Sequence, residues 1–254
     1  MPVISCHLPL SKGDQLVYVR ELNGNDEIMI DATGTPGLIA LLQRLLYVPG
    51  RQQTDIQAES IVIAERDYLL SLIYQQHYGS KIQSTLLCGY CGEKFDLDFL
   101  LPEWVSHVRE NRLNSTPDNE GYFLTSDQQR FRLPNGVDEL TAQGLPLEAM
   151  AGAMLSRCVP DEVTPETAQV IQNQMDQIAP PLSGNIETHC PECRRPQPVH
   201  FDIQTYFMAR MKQEKKRVTA EIHCIAMTYK WAHSEILALP RSLRKRYAAL
   251  IGFD

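Results

Sequence analysis

Two Cys-x-x-Cys pairs, Cys88 with Cys91 in LLCGYCGEKFDLDFLL and Cys190 with Cys193 in HCPECRR, have the residue type and spacing that suit metal chemistry. Each pair presents two thiolates within reach of one ion, and a structural zinc ion takes four ligands in a tetrahedron. The pairs are roughly a hundred residues apart, whereas an ordinary ribbon separates its halves by about 15–20 residues. The flanking text closes that gap. KFDLDF places Phe95, Leu97 and Phe99 on one side and Asp96 and Asp98 on the other, and VHFDI does the same with Val199, Phe201 and Ile203. Both patterns read as half-buried strands of period two. The preceding segments, KIQSTLL and GNIETH, are extended as well, so each pair is expected at the tip of a β-hairpin. Two such tips brought together make one four-thiolate site, holding a single structural zinc through Cys88, Cys91, Cys190 and Cys193. Three other arrangements stay open: a redox disulfide within a pair, two separate sites completed by His77, His189 or His200, and a metal-free relic.

The chain has 254 residues, 43% hydrophobic and 22% charged, enough to bury a sizeable core in one or two domains. The expected division is residues 1–80 as strands plus two helices, 81–101 as the first ribbon half and 102–182 as an inserted strand pair with a helical module. The second ribbon half follows at 183–203, and C-terminal helices fill 204–254. The fold class is therefore α+β, mainly helical, with a zinc-ribbon-like pair of hairpins split by an insertion. No apolar run reaches the ~20 residues of a membrane span. The start, MPVISCHLPLSKGD, lacks the basic and apolar regions of a signal peptide. Seven cysteines, an odd number, fit reduced thiols and a cytoplasmic location. A net charge of −7 argues against non-specific nucleic-acid binding, which rewards a basic surface.

Along the chain, residues 3 to 33 read as extended with a turn at NGND, and two helices follow, TPGLIALLQRLLYV and the stretch from Ile61 to Gly79. Residues 104 to 144 read as polar and turn-rich, with a strand pair turning at Asp127 and Gln128. Two further helices end at Cys158 and open at Thr164 and Pro165. The longest helical pattern runs from about Ile203 to Tyr229, followed by a short helix from His233 or Ser234 and a last one after Pro240. No phosphate loop, nucleophile elbow or His-Glu-x-x-His helix is present, and four cysteines would leave zinc no open position, so no enzyme is expected.

LPLSKGDQLVYVRELNGNDE, the split cysteine pairs, RFRLPNGVDEL, MLSRCV and above all IAMTYKWAHSEILALPRSLRKRYAALI resemble the T-even-phage-type baseplate hub assembly chaperones. The likeness extends to their cysteine-bearing relatives beside contractile tails and phage-tail-like injection systems. It implies a non-enzymatic chaperone or adaptor that binds a baseplate, hub or spike protein, in the cytoplasm or retained in the particle. A zinc-ribbon nucleic-acid binder is the alternative. The residues expected to meet the partner are Tyr229, Trp231, Leu239, Arg241, Arg244, Arg246 and Tyr247, because Tyr, Trp and Arg dominate interface energies. A second candidate is the polar arm from Asn111 to Asp127.

Overall fold

The computed structural model describes residues 4–12, 15–29, 34–50, 52, 56–110 and 112–253. The elements are, in chain order, β1 (Ile4–Leu8), β2 (Gln15–Val19), α1 (Gly24–Ile28), α2 (Thr35–Leu45), β3 (Leu46–Tyr47), α3 (Ile63–Tyr78), β4 (Lys81–Leu87), β5 (Lys94–Leu100) and α4 (Leu101–Glu110). They continue with β6 (Tyr122–Leu124), β7 (Arg130–Arg132), α5 (Gly136–Ala142), α6 (Leu147–Cys158), α7 (Pro165–Ile178), β8 (Ser183–His189), β9 (Pro196–Asp202), α8 (Ile203–Tyr229), α9 (His233–Ala238) and α10 (Arg241–Leu250). The fold is α+β with small antiparallel sheets, β1-β2-β3 and the hairpins β4-β5, β6-β7 and β8-β9. No helix among the described residues is long and apolar enough to cross a membrane.

The chain forms two compact units. The first gathers residues 1–7, 16–59 and 204–254, and the second residues 8–15 and 60–203. In the second unit, Phe123 and Phe131 from β6-β7 pack with Cys158 of α6 and Ile171, Met175 and Ile178 of α7. Their burial follows from the period of each element, since alternate strand residues and every third or fourth helix residue share one face. In the first unit, Val218, Ile222 and Ile225 of α8 meet Ile236 and Leu237 of α9 and Ala248 of α10.

Helix ends follow local chemistry. Thr164 caps α7 by accepting the Thr167 N–H, with Pro165 at the first position, where its missing donor costs nothing. Gly79 closes α3 at φ 87°, a left-handed value that glycine adopts without strain. Two expectations need correction. NGND is a helix start and not a turn: Asn23 accepts the Asp26 N–H while the Asp26 side chain accepts the Asn23 N–H, a capping box opening α1. The stretch 104–144 is also less irregular than its polarity suggests, holding most of α4 and all of α5, whose capping box joins Asn135 and Asp138.

The chain contains an internal repeat. Each element of the later set starts 102 residues after its counterpart: Ile63 of α3 and Pro165 of α7, Lys81 of β4 and Ser183 of β8, Lys94 of β5 and Pro196 of β9, Leu101 of α4 and Ile203 of α8. The cysteines keep the same offset, Cys88 to Cys190 and Cys91 to Cys193.

Candidate metal centre

Each cysteine pair sits on the turn of a hairpin of two seven-residue strands, Leu87 pairing with Lys94 in one and His189 with Pro196 in the other. The two turns close identically. The Cys88 N–H donates to the Glu93 carbonyl at 2.9 Å and the Gly92 N–H to the Cys88 carbonyl at 3.0 Å. In the second, the Cys190 N–H reaches Arg195 at 3.1 Å and the Arg194 N–H reaches Cys190 at 2.8 Å. The residue after the second cysteine must turn left-handed in both, with φ of 76° at Gly92 and 58° at Arg194. Glycine takes this freely, whereas arginine bears about 1–2 kcal/mol of strain there.

The four sulfurs lie within 4.8 Å of one another. Cys88 Sγ is 3.7 Å from Cys193 Sγ, and Cys91 Sγ is 3.7 Å from Cys190 Sγ. A disulfide would bring a pair to about 2.05 Å, while the edge of a sulfur tetrahedron built on bonds of about 2.3 Å to zinc is about 3.8 Å. The distances therefore fit four ligands around one ion and no covalent bridge. Both close contacts run between the hairpins and exchange under the 102-residue offset, so the cluster sits on a local two-fold relation.

Burial and hydrogen bonding suit thiolates. Cys88 and Cys190 are buried beside Phe95, with Leu86 and Cys193 packed against them, and Cys91 is exposed. The Cys91 and Tyr90 N–H groups, the latter at 3.4 Å, together with the neighbouring thiols, pull the Cys88 thiol down to about 6. The Glu93 N–H favours ionisation of Cys91, but desolvation and its hydrogen bonds to the other three cysteines carry its thiol up to about 12. A cluster of this kind sheds its remaining protons when a cation supplies the missing charge.

Below the sulfurs the hairpins are joined by rings. Phe99 meets Phe201 edge-on with centroids 5.0 Å apart, and Trp104 of α4 lies 5.9 Å from Phe99 and 6.0 Å from Phe201. Gly184 of β8 lies against the indole of Trp104. Near the tips, the Gly89 N–H donates to Gln197 Oε1 at 3.2 Å. His77, His189 and His200 do not join the sulfur group, and His200 Nδ1 instead lies 3.2 Å from Asn185 Oδ1.

The residues expected to meet a partner divide. Tyr229, Trp231 and Tyr247 form an aromatic triangle, with centroids 5.2 Å apart for Tyr229–Trp231 and 4.9 Å for Trp231–Tyr247, packed half-buried against the α8–α10 core. Leu239 is half-buried and Arg246 exposed. Arg241 and Arg244 are not surface groups, being 2% and 0% exposed. Arg241 pairs with Glu27 of α1 and Glu214 of α8, while Arg244 pairs with Glu27 at 2.5 Å and Glu221 at 3.0 Å. A buried guanidinium requires such partners, and these two turn their charge into the unit and not towards solvent. In the polar arm, Asn111 lies outside the described residues. Asp118 accepts the Glu120 and Tyr122 N–H groups, both at 2.9 Å, and holds Arg130.

Comparison of the chain with protein-family models, characterised proteins and solved structures finds no match.

Proposed function

We propose that the chain holds one structural zinc ion at Cys88, Cys91, Cys190 and Cys193. On this scaffold it acts as a non-catalytic assembly chaperone or adaptor for a baseplate, hub or spike component of a contractile tail. The observation that carries the reading is the closed set of four sulfurs at tetrahedral-edge spacing. Four thiolates satisfy zinc without a vacant position for water or substrate, so the ion's role is to fasten the two hairpins as a split ribbon. A protein whose metal only fastens a scaffold works through its surface. The likeness of the IAMTYKWAHSEILALPRSLRKRYAALI tract to hub assembly chaperones supports the kind of surface it would cover. Hub and spike subunits expose oligomerising faces and strand edges that associate wrongly until their neighbours arrive. With Arg241 and Arg244 turned inward, the contact falls to exposed Arg246 and the reachable edges of Tyr229, Trp231, Leu239 and Tyr247, beside exposed Met227 and Leu250.

Affinity capture of the full chain from cells co-expressing hub and spike proteins of a contractile tail tests the role. A hub or spike protein should elute in stoichiometric amount, and Arg246→Glu with Tyr247→Ala should reduce it by at least about tenfold, about 1.4 kcal/mol or more. Absence of any tail protein from the eluate defeats the reading. Elemental analysis tests the metal separately: one zinc per chain supports the shared site, and two zinc ions or none oppose it. A nucleic-acid-binding reading draws on one observation, the Arg195 guanidinium stacked 4.9 Å from the exposed Tyr90 ring on the first tip. It requires retention on DNA that falls steeply with salt.

A further inference from the structure

The four cysteines differ in access. Cys88 and Cys190 are buried, Cys193 is half-buried and Cys91 is exposed. A bound cation holds every coordinating thiol in its thiolate form. Small oxidants take the thiolate they can reach, so oxidation enters the cluster at Cys91. The four sulfurs lie within 4.8 Å of one another, and the two contacts of 3.7 Å, Cys91 with Cys190 and Cys88 with Cys193, both run between the hairpins. The sulfur poised to answer an oxidised Cys91 is therefore on the other hairpin.

The hairpins are also joined by groups that bind no metal. Beside the tips the Gly89 N–H donates to Gln197 Oε1 at 3.2 Å. Beneath them Phe99 meets Phe201 with centroids 5.0 Å apart, and the Trp104 indole lies against both rings. Apolar contact does not depend on the state of the thiols, so this seam keeps the tips facing one another when ligands leave an ion. A link between Cys91 and Cys190 then asks only that the two sulfurs close from 3.7 Å to about 2.05 Å.

We propose that the cluster is a peroxide-responsive clasp, in which hydrogen peroxide oxidises Cys91, Cys190 closes a disulfide with it, and the metal is released while the hairpins stay joined. The inference rests on the metal reading above and deepens it by naming how the site is regulated. In the first step the Cys91 thiolate attacks a peroxide oxygen and the O–O bond breaks. The departing oxygen takes a proton and leaves as water, and Cys91 becomes a sulfenic acid. In the second step the Cys190 thiolate attacks that sulfur, the S–O bond breaks, and a second water leaves with a second proton. Two thiolates thus lose two electrons, one peroxide becomes two waters, and two protons come from solvent. Cys88 and Cys193 remain, too few to complete a tetrahedral set. The covalent link replaces the ion as the fastening between the two halves of the repeat.

Treatment of the full chain with increasing hydrogen peroxide tests the proposal, after elemental analysis has established its zinc content. A chromogenic chelator follows zinc release, and mass spectrometry of unreduced proteolytic peptides locates the disulfides. The Cys91–Cys190 link is expected as the first product, with one zinc released for each link formed, and dithiothreitol with added zinc should reverse both. In excess chelator the oxidised chain should melt at a higher temperature than the reduced chain, because the link still fastens the hairpins. Cys224→Ser, outside the cluster, should leave the response unchanged, while Cys91→Ser should form no such link. A first disulfide within Cys88–Cys91 or Cys190–Cys193, oxidation of Cys91 to sulfinic acid without a disulfide, or zinc retained at peroxide levels that oxidise the methionines overturns the proposal. These outcomes in a zinc-loaded chain leave the metal reading standing, whereas a chain without zinc at the outset overturns that reading and the release with it.

Discussion

Asp67 on α3 is 5% exposed, and its carboxylate accepts the Leu182 N–H at 3.2 Å. Burial, with the Asp202 and Glu139 carboxylates adding, lifts it from an ordinary carboxyl to about 7, while Arg66 and the Leu182 N–H work the other way. The folded chain thus keeps this proton to a higher pH than the unfolded chain does. Stability therefore falls as pH climbs from about 4 to about 7, and the loss persists above that range. Asn at the position still accepts the Leu182 N–H and never ionises. Asp67→Asn is expected to raise the unfolding free energy near pH 8 by up to about 4 kcal/mol, with the gain vanishing towards pH 4. Urea unfolding across that range measures it, and a constant difference at every pH would refute the assignment. Arg194, in its left-handed turn at φ 58°, gives a residue-scale contrast. Arg194→Gly should relieve strain and add about 1 kcal/mol to the urea unfolding free energy of the metal-loaded chain, and a fall would refute the strain assignment.

The elements of the first unit meet through charge as well as apolar burial. Arg241 and Arg244 on α10, Glu214 and Glu221 on α8 and Glu27 on α1 form a buried network, with half-exposed Arg217 closing the balance at 3.5 Å from Glu221. Removing one member of a buried pair strands the other. Arg244→Met is expected to cost about 3–5 kcal/mol in chemical unfolding, and adding Glu221→Leu should restore part of it because Glu27 keeps Arg241. Additive losses in the double variant would show that the elements do not communicate through these charges. Sequence patterns show helix stripes, period-two strands and metal spacing, so α2, α3, α7, α8 and all four sulfur ligands could be read from them. The buried fate of the arginines could not, because their partner Glu27 lies 214 residues from Arg241 and only folding aligns them. Helix α5 escaped for another reason: at seven residues it has too few turns to show a stripe, and its signature is the capping pair Asn135 and Asp138.

At the scale of the whole molecule, the 102-residue repeat explains why one four-cysteine cluster is spread across the sequence. Each hairpin supplies half a ligand set and half an aromatic seam, and neither half closes a tetrahedron alone. The loop between them, Cys91 to Cys190, contains β6-β7, α5, α6 and α7, so a closed site shortens the unfolded chain's reach through this segment. The first unit draws on its own apolar core and ion network, and none of the four sulfurs belongs to it. Removal of the proposed zinc is therefore expected to act unevenly. With excess chelator, amide exchange should accelerate first across Ile82–Leu86 and Ile186–Val199 and the thermal midpoint should fall, because structural zinc can supply ~10 kcal/mol or more of folding energy. Protection in α9 and α10 should change least, and restored zinc should reverse the effect. Equal loss of protection in both units on chelation would instead place the metal beneath the entire fold.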